Sequence, residues 1–491
     1  VDRIKKIFFS LSKTEIRYLK HFLTAFHSKG SNKSLELIEL LEKKPNLSQA
    51  ELSERLYGNP QSKAFLMMKK RLLEKMLETL SLSINFHNNP TFKEDPASYQ
   101  TIALLKDYIY ALFLRRRGLE NLALELLEKC YLNAEAYSLP EYQLLALASM
   151  RSLMGSWKQN RHDFGAEIEM ALRKYESDLQ AGGAFEHFRD LTAMHPAFDQ
   201  EKIDFLETET SKLADRLEDF DSVRARFYYL NLKLQLHNGQ EDYEMSKEVL
   251  EEMIQLIHRH KGLKSRNRLG IPYLRLATIE LYQSHFEAGL EAAEEAMRVL
   301  QPQKHNFLQA AICKLFACCY LNRLDDADDC IHQLHHFTEV PKERHHYATR
   351  LSLDWITYFK SCIAFLRRDF RAAFRLMGDV ETIFSDKKGW NIDLRIHEIL
   401  ILIEMQHFDL ASARIETLRK HIGKYEVEER VKQIFRFLYQ LERHSFDFGR
   451  ITPEMDQILQ RLGGELTWAP FNAEVIRFDT WIKSHSLKTG V

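Results

Sequence analysis

The stretch "LATIELYQSHFEAGLEAAEEAMRVLQP", Leu276 to Pro302, contains two apolar-striped segments separated by the short polar break "QSH". Apolar residues recur at helical spacing on both sides of the break, which predicts antiparallel helices over 273–284 and 286–300 joined by a tight turn. Ala277, Gly289 and Ala296 are spaced by 12 and then 7 residues. Small side chains at those places let the two helix backbones approach closely. Phe286, just after the turn, is expected to close the corner.

The same spacing returns as Ala111, Ala123 and Cys130, and as Ser361, Ala373 and Val380, with Phe370 preceding Ala373 as Phe286 precedes Gly289. Tyr243 with Ser246, Leu324 with Ala327, and Phe408 with Ala411 repeat the second half of the pattern. The breaks "RRRGL", "HNGQEDY", "QSHF", "LNRL", "RRDF" and "MQHF" mark the corners. Positions 123, 246, 289, 327, 373 and 411 are separated by 123, 43, 38, 46 and 38 residues. The large gap equals three intervals of 41, so two further units are expected near Phe164 and Phe205. A period near 40 points to stacked helix pairs, because one pair cannot bury its apolar face alone.

At these residues the chain resembles the tetratricopeptide-repeat superfamily over roughly 100–440. It departs from that family at Leu234, Leu315 and Ile399, which stand where a first small residue would fall, and in its longer units. The resemblance implies an all-α fold: an elongated right-handed solenoid of antiparallel helix pairs presenting a groove to a protein or peptide ligand.

Composition agrees with long helices and short loops. Glycine at 18 and proline at 11 of 491 residues are sparse, leaving few turn formers. A formal net charge of -1 gives no whole-chain attraction to nucleic acid or anionic membrane. No secretory signal or membrane-spanning run stands out, so a cytoplasmic protein is expected. The six cysteines show no CxxC pair and read as small buried hydrophobes.

The segment "HNNPTFKEDPASYQ" lacks helical periodicity and carries Pro90 and Pro96. It divides the chain into an N-terminal helical domain (1–84), a linker (85–99) and the repeats (100–491) with C-terminal capping helices. Within the first domain, helices are expected at about 12–27, 33–44, 48–57 and 61–82. Ser12 with Glu15 and Ser48 with Glu51 are Ser-x-x-Glu capping boxes. The stretch "LSQAELSERLYGNPQSKAFLMMKKRLLEKML" resembles a helix-turn-helix, with Ser53 as the small residue at the helix crossing. That resemblance implies Lys63, Lys69, Lys70 and Arg71 as candidate DNA contacts. Leu66, Leu72, Leu73, Met76 and Leu77 form an apolar stripe expected in the core.

No phosphate-binding, dinucleotide, zincin, nucleophile-elbow or EF-hand motif occurs, so no catalytic residue, cofactor or metal is assigned. Cys330, His332, His335, His336, His345 and His346 gather in one stretch, but histidines at a helix end account for them without a metal. Arg189 and His195 have the spacing found in some helical ribonucleases, a spacing expected by chance among 21 histidines. The basic run "HRHKGLKSRNR" (258–268) is expected to be a solvated loop. The leading expectation is therefore a non-enzymatic interaction scaffold or adaptor, with Tyr108, Arg115, Arg116, Tyr282, Trp355 and Tyr358 facing the partner. The alternative is a DNA-binding transcription regulator whose repeats receive the signal.

Overall fold

The computed structural model describes residues 3–11, 13–25, 32–83, 96–154, 164–194, 198–302, 305–334, 347–378, 390–425, 427–470 and 474–489. The described chain is all-α, with no strand among these residues. Helices α1 (Arg3–Ser10), α2 (Lys13–Ala25), α3 (Lys33–Lys43), α4 (Gln49–Tyr57) and α5 (Lys63–Ser83) come first. Then follow α6 (Pro96–Arg116), α7 (Glu120–Ala136), α8 (Pro140–Met154), α9 (Phe164–Met194) and α10 (Gln200–Asp219). The antiparallel helix pairs α11 (Val223–Gly239) with α12 (Tyr243–Arg259), α13 (Arg266–Tyr282) with α14 (Phe286–Val299), and α15 (His305–Tyr320) with α16 (Leu324–Gln333) are next. Pairs α17 (Tyr347–Leu366) with α18 (Phe370–Gly378) and α19 (Trp390–Glu404) with α20 (Phe408–Ile422) continue the series. It ends in α21 (Glu429–Arg443), α22 (Thr452–Leu462) and α23 (Phe478–Thr489).

By contacts the chain falls into two compact units, residues 1–135 with 142–164, and 136–141 with 165–491. The first unit thus joins the N-terminal helices with α6–α8. Pro96, read from the sequence as linker, already opens α6.

The corners explain the period. Gly118, Glu241, Ser284, Asn322, Arg368 and Gln406 all have positive φ, and each lies five residues before one of the second small positions. The amide of the next residue reaches back to a carbonyl five residues earlier: Leu119 to Leu114 (3.0 Å), His285 to Glu280 (2.8 Å), Asp369 to Ala364 (2.9 Å) and His407 to Leu402 (2.9 Å). That is a Schellman-type helix end, which turns the chain sharply and satisfies otherwise orphaned carbonyls. Only one of these six residues is glycine, although a left-handed backbone costs other residues roughly 1–2 kcal/mol.

Ala123, Ser246, Gly289, Ala327, Ala373 and Ala411 are all buried, as the spacing predicts. A Cβ on Gly289 would sit 3.1 Å from Leu281 Cγ, so that crossing leaves almost no spare room. Leu234, Leu315 and Ile399 are buried as well.

The aromatic residues after the corners act differently from the expectation. Tyr243 stacks on Tyr282 (6.1 Å, 9°), Phe286 meets Tyr320 (4.9 Å), and Phe408 stacks on Phe446 (4.9 Å, 9°). Tyr243 and Phe286 reach the last residue of the first helix in the following pair, and Phe408 reaches the turn just after α21, so each ring ties neighbouring helices of the stack together. Phe370 alone follows the simpler arrangement among these, edge-on to Phe365 of its own pair at 5.3 Å.

The two units implied near Phe164 and Phe205 take an unexpected form. Phe164 opens α9, a single helix of 31 residues, and Phe205 lies inside α10. The second half of α9 packs on α10 and α11 through Ala181, Phe188, Leu206, Leu213 and Ala225. One helix therefore runs where the period asks for two. Asp178, midway along it, accepts the Ala225 amide (3.0 Å) and the Ser222 hydroxyl, capping α11 from outside. Burial raises its carboxyl pKa against the lowering effect of those bonds.

After α22 the chain doubles back. Arg430 makes a buried two-pronged pair with Glu474 (2.7 and 2.6 Å) and donates to the Leu466 carbonyl (2.6 Å). Glu474 also accepts the Phe478 amide at 2.9 Å. Val475, Ile476, Phe478, Trp481 and Ile482 then join the same core as the repeats from Ala277 onward.

In the N-terminal helices, α1 is an element that the periodicity did not reveal. Ser48 and Glu51 form the predicted capping box, whereas Ser12 lies outside the described residues. Leu19, Ile38, Leu52, Phe65, Leu72 and Met76 belong to the core. The expected α5 stripe needs correction, because Leu66 and Leu77 are 51% and 52% exposed and Phe65 and Met68 take the inward places.

Candidate functional site

Helix α6 is held in place by polar ties to α8. The Tyr108 hydroxyl lies 3.1 Å from Ser149 Oγ, and Arg115 donates to Ser152 Oγ at 2.9 Å. Leu104 and Ala111 turn inward with Cys130, whose thiol donates weakly to the Leu104 carbonyl. On the outer side Leu105, Ile109, Leu112 and Phe113 are exposed, Ile109 by 49% and Phe113 by 60%. Tyr110 stands beside them under Lys106 Nζ (5.5 Å from the ring centroid). Arg116, exposed and four residues after Leu112, closes the C-terminal end of this face, while Arg115, also exposed, turns toward α8. Its register (i, i+4, i+7, i+8) was readable in "LLKDYIYALF". It was missed because α6 is apolar on more than one side, and periodicity alone does not rank two apolar faces.

Of the six residues expected to face a partner, Tyr108 is half-buried, Arg115 and Arg116 are exposed, and Tyr282 is 46% exposed against Tyr243. Trp355 and Tyr358 are not groove residues. They are 4% and 1% exposed and lie in the core, Trp355 against Phe316 (5.2 Å) and Trp390 (3.9 Å), Tyr358 edge-on to His397. Large aromatics serve both interfaces and cores, so residue type did not separate the two uses.

His397 occupies the crossing of α17, α18 and α19. Ser361 Oγ donates to the Ala373 carbonyl (3.1 Å), so its one proton is used, and it accepts from His397 Nε2 (3.1 Å). That bond leaves Nδ1 as the unprotonated nitrogen, buried with no hydrogen-bond partner. Burial pushes the imidazole pKa down to about 3. The group is a neutral structural histidine.

The helix-turn-helix-like segment has Gly58 in the left-handed region (φ 67°) ending α4. Ser53 does more than make room at the crossing: its hydroxyl donates to the Asn59 carbonyl (2.6 Å) and accepts the Ser62 amide (3.3 Å), which fixes the turn. Lys63, Lys70 and Arg71 are exposed. Lys69 is partly covered and donates to Gln49 Oε1 at 2.8 Å.

All six cysteines are free and buried. Burial raises the Cys130 thiol to about 11 and the Cys313 and Cys330 thiols to about 12, which suppresses thiolate formation. His332 Nδ1 donates to the Asp328 carbonyl (2.8 Å), and His335, His336, His345 and His346 lie outside the described residues. His195 does too. Among the described residues no group of three His, Cys, Asp or Glu is placed to hold a metal ion, and no helix is long and apolar enough to cross a membrane. The basic run 258–268 is solvated at its Arg259, Lys261, Lys264, Arg266 and Arg268 side chains, as expected, but it is a short turn between the end of α12 and the start of α13 rather than a free loop. Leu263 is buried, and a Cβ on Gly262 would fall 1.9 Å from the Tyr137 carbonyl oxygen.

No protein-family model matches the chain, and no curated protein does. Among solved structures it is similar to a signal transduction ATPase with numerous domains from Pyrococcus horikoshii that carries a tetratricopeptide repeat sensor. That match has a TM-score of 0.31 and 10% identity, covering 90% of this chain. The chain spans 64% of that protein's length. The fold assignment rests on the corners and crossings described above.

Proposed function

We propose that the chain is a non-enzymatic interaction protein that holds a protein or peptide partner on its helical repeats. The observation that carries this reading is the exposed apolar face of α6, Leu105, Ile109, Leu112 and Phe113. Soluble chains rarely leave such a row uncovered unless a partner covers it. Arg116 at its end, with Arg115 beside it at the α8 edge, favours an occupant with apolar anchors and an acidic flank. A preassembled helix pair orders little of itself on binding, which limits the entropic cost. A photo-crosslinking residue at Ile109, in the full chain in its native cell, should give a discrete adduct that Phe113→Glu abolishes. No adduct, or adducts indifferent to Phe113→Glu, would overturn the reading.

The second reading, a DNA-binding regulator, is favoured by the exposure of Lys63, Lys70 and Arg71 along the second helix of a helix-turn-helix-like segment. Leu66 and Met67 interrupt that row with exposed apolar surface, which ranks it below protein binding. Selection from random duplexes with the full chain tests it. A defined site lost on charge reversal of Lys63 and Lys70, with affinity falling as salt rises, would reverse the ranking.

A further inference from the structure

The doubled-back C-terminal segment roofs a cavity of about 360 Å³ over the corners of α15, α17 and α19. Its walls are aromatic, with Tyr320, Phe365 and Phe370 from the repeats and Trp481 from α23. Its polar groups are unequally matched. Glu404, in the wall, is already engaged by Trp481 Nε1 (2.8 Å) and His485 Nε2 (3.1 Å). Arg477 is paired with Asp479 (2.8 Å) and lies over the Trp468 ring (4.7 Å). Arg368 also lines the cavity and is exposed. It is the left-handed corner residue of its pair (φ 63°), a position where glycine or asparagine would be the less strained choice.

We propose that this cavity binds a small aromatic carboxylate, its ring against the aromatic wall of Phe365, Phe370 and Trp481 and its carboxylate on the Arg368 guanidinium. The volume lies within the range of small-molecule sites, and the lining is mostly apolar with few polar groups, as such sites require. Glu404 is already hydrogen-bonded and Arg477 already ion-paired, so the guanidinium offered to a ligand is that of Arg368, whose planar fork suits a carboxylate. The proposal stands independently of what covers α6.

The probe is 3-phenylpropanoate, titrated into the full chain by calorimetry and by tryptophan fluorescence, with 3-phenylpropanol as its uncharged match. The expected result is saturable one-to-one binding with a Kd of about 1 mM or tighter. The alcohol should bind about tenfold more weakly, the factor one charge-assisted hydrogen bond contributes at a solvent-exposed rim. Arg368→Gln should bring the carboxylate down to the alcohol's level. Thr480→Trp, filling the cavity from an exposed lining position, should weaken both ligands. Unchanged thermal melts of the two variants establish that they fold. Absence of saturable carboxylate binding, equal binding of acid and alcohol, or indifference to either variant would overturn the proposal.

Discussion

The buried imidazole at the α17–α18–α19 crossing makes the stability of that region depend on pH. In the folded chain His397 stays neutral down to about pH 3, while in an unfolded segment a histidine takes its proton near pH 6.5. Between those values the unfolded state binds a proton that the native state refuses, so stability is lost as pH falls and is complete above about pH 6.5. At pH 5 the gap from the unfolded pKa is about 1.5 units, which corresponds to about 2 kcal/mol. The loss levels off near pH 3. His397→Gln keeps a hydrogen-bonding group for Ser361 and removes the titration. Hydrogen exchange of amides in α17 and α19, corrected for intrinsic rates, should show the wild type losing about 2 kcal/mol more opening free energy than His397→Gln between pH 7 and pH 5. Parallel profiles within about 0.5 kcal/mol would mean that the imidazole is solvated or protonated in the native state, and the assignment of its tautomer and burial would fall.

Glu474→Ala leaves buried Arg430 with only the more distant Asp479 carboxylate at 3.8 Å and should cost about 3 kcal/mol, seen as protease sensitivity of residues 463–489 before the repeats are cut. Ala373→Leu should destabilise by about 1–3 kcal/mol in a urea melt, because the crossing is filled and Ala373 also supplies the carbonyl that Ser361 binds. Phe370→Ala should cost less than the 3–5 kcal/mol typical of a fully buried ring, about 1–2 kcal/mol, since Phe370 is half-buried. Gly262→Ala should lower the melting temperature markedly, at about 3 kcal/mol, because the atom it would strike is the Tyr137 backbone oxygen, which has no rotamer to escape into.

Local periodicity determined the helices, and steric limits at close crossings determined the small residues between them. Ala123, Ser246, Gly289, Ala327, Ala373 and Ala411 were therefore legible in the sequence with no knowledge of the third dimension. The corners were legible only as breaks. Glu241, Ser284, Arg368 and Gln406 adopt a left-handed backbone that their residue types do not announce, because the packing of both flanking helices compensates the local strain. Contacts between distant segments were beyond the sequence altogether. Arg430 finds Glu474 across 44 residues, and Trp481 finds Glu404 across 77. Neither pairing leaves any periodic trace. The same holds for burial on helices with two apolar sides. Trp355 and Tyr358 went inside while Ile109 and Phe113 stayed out, because the next helix pair covers one face and leaves the other to solvent. A sequence states how apolar each face is, and only the assembled neighbours decide which face water still reaches.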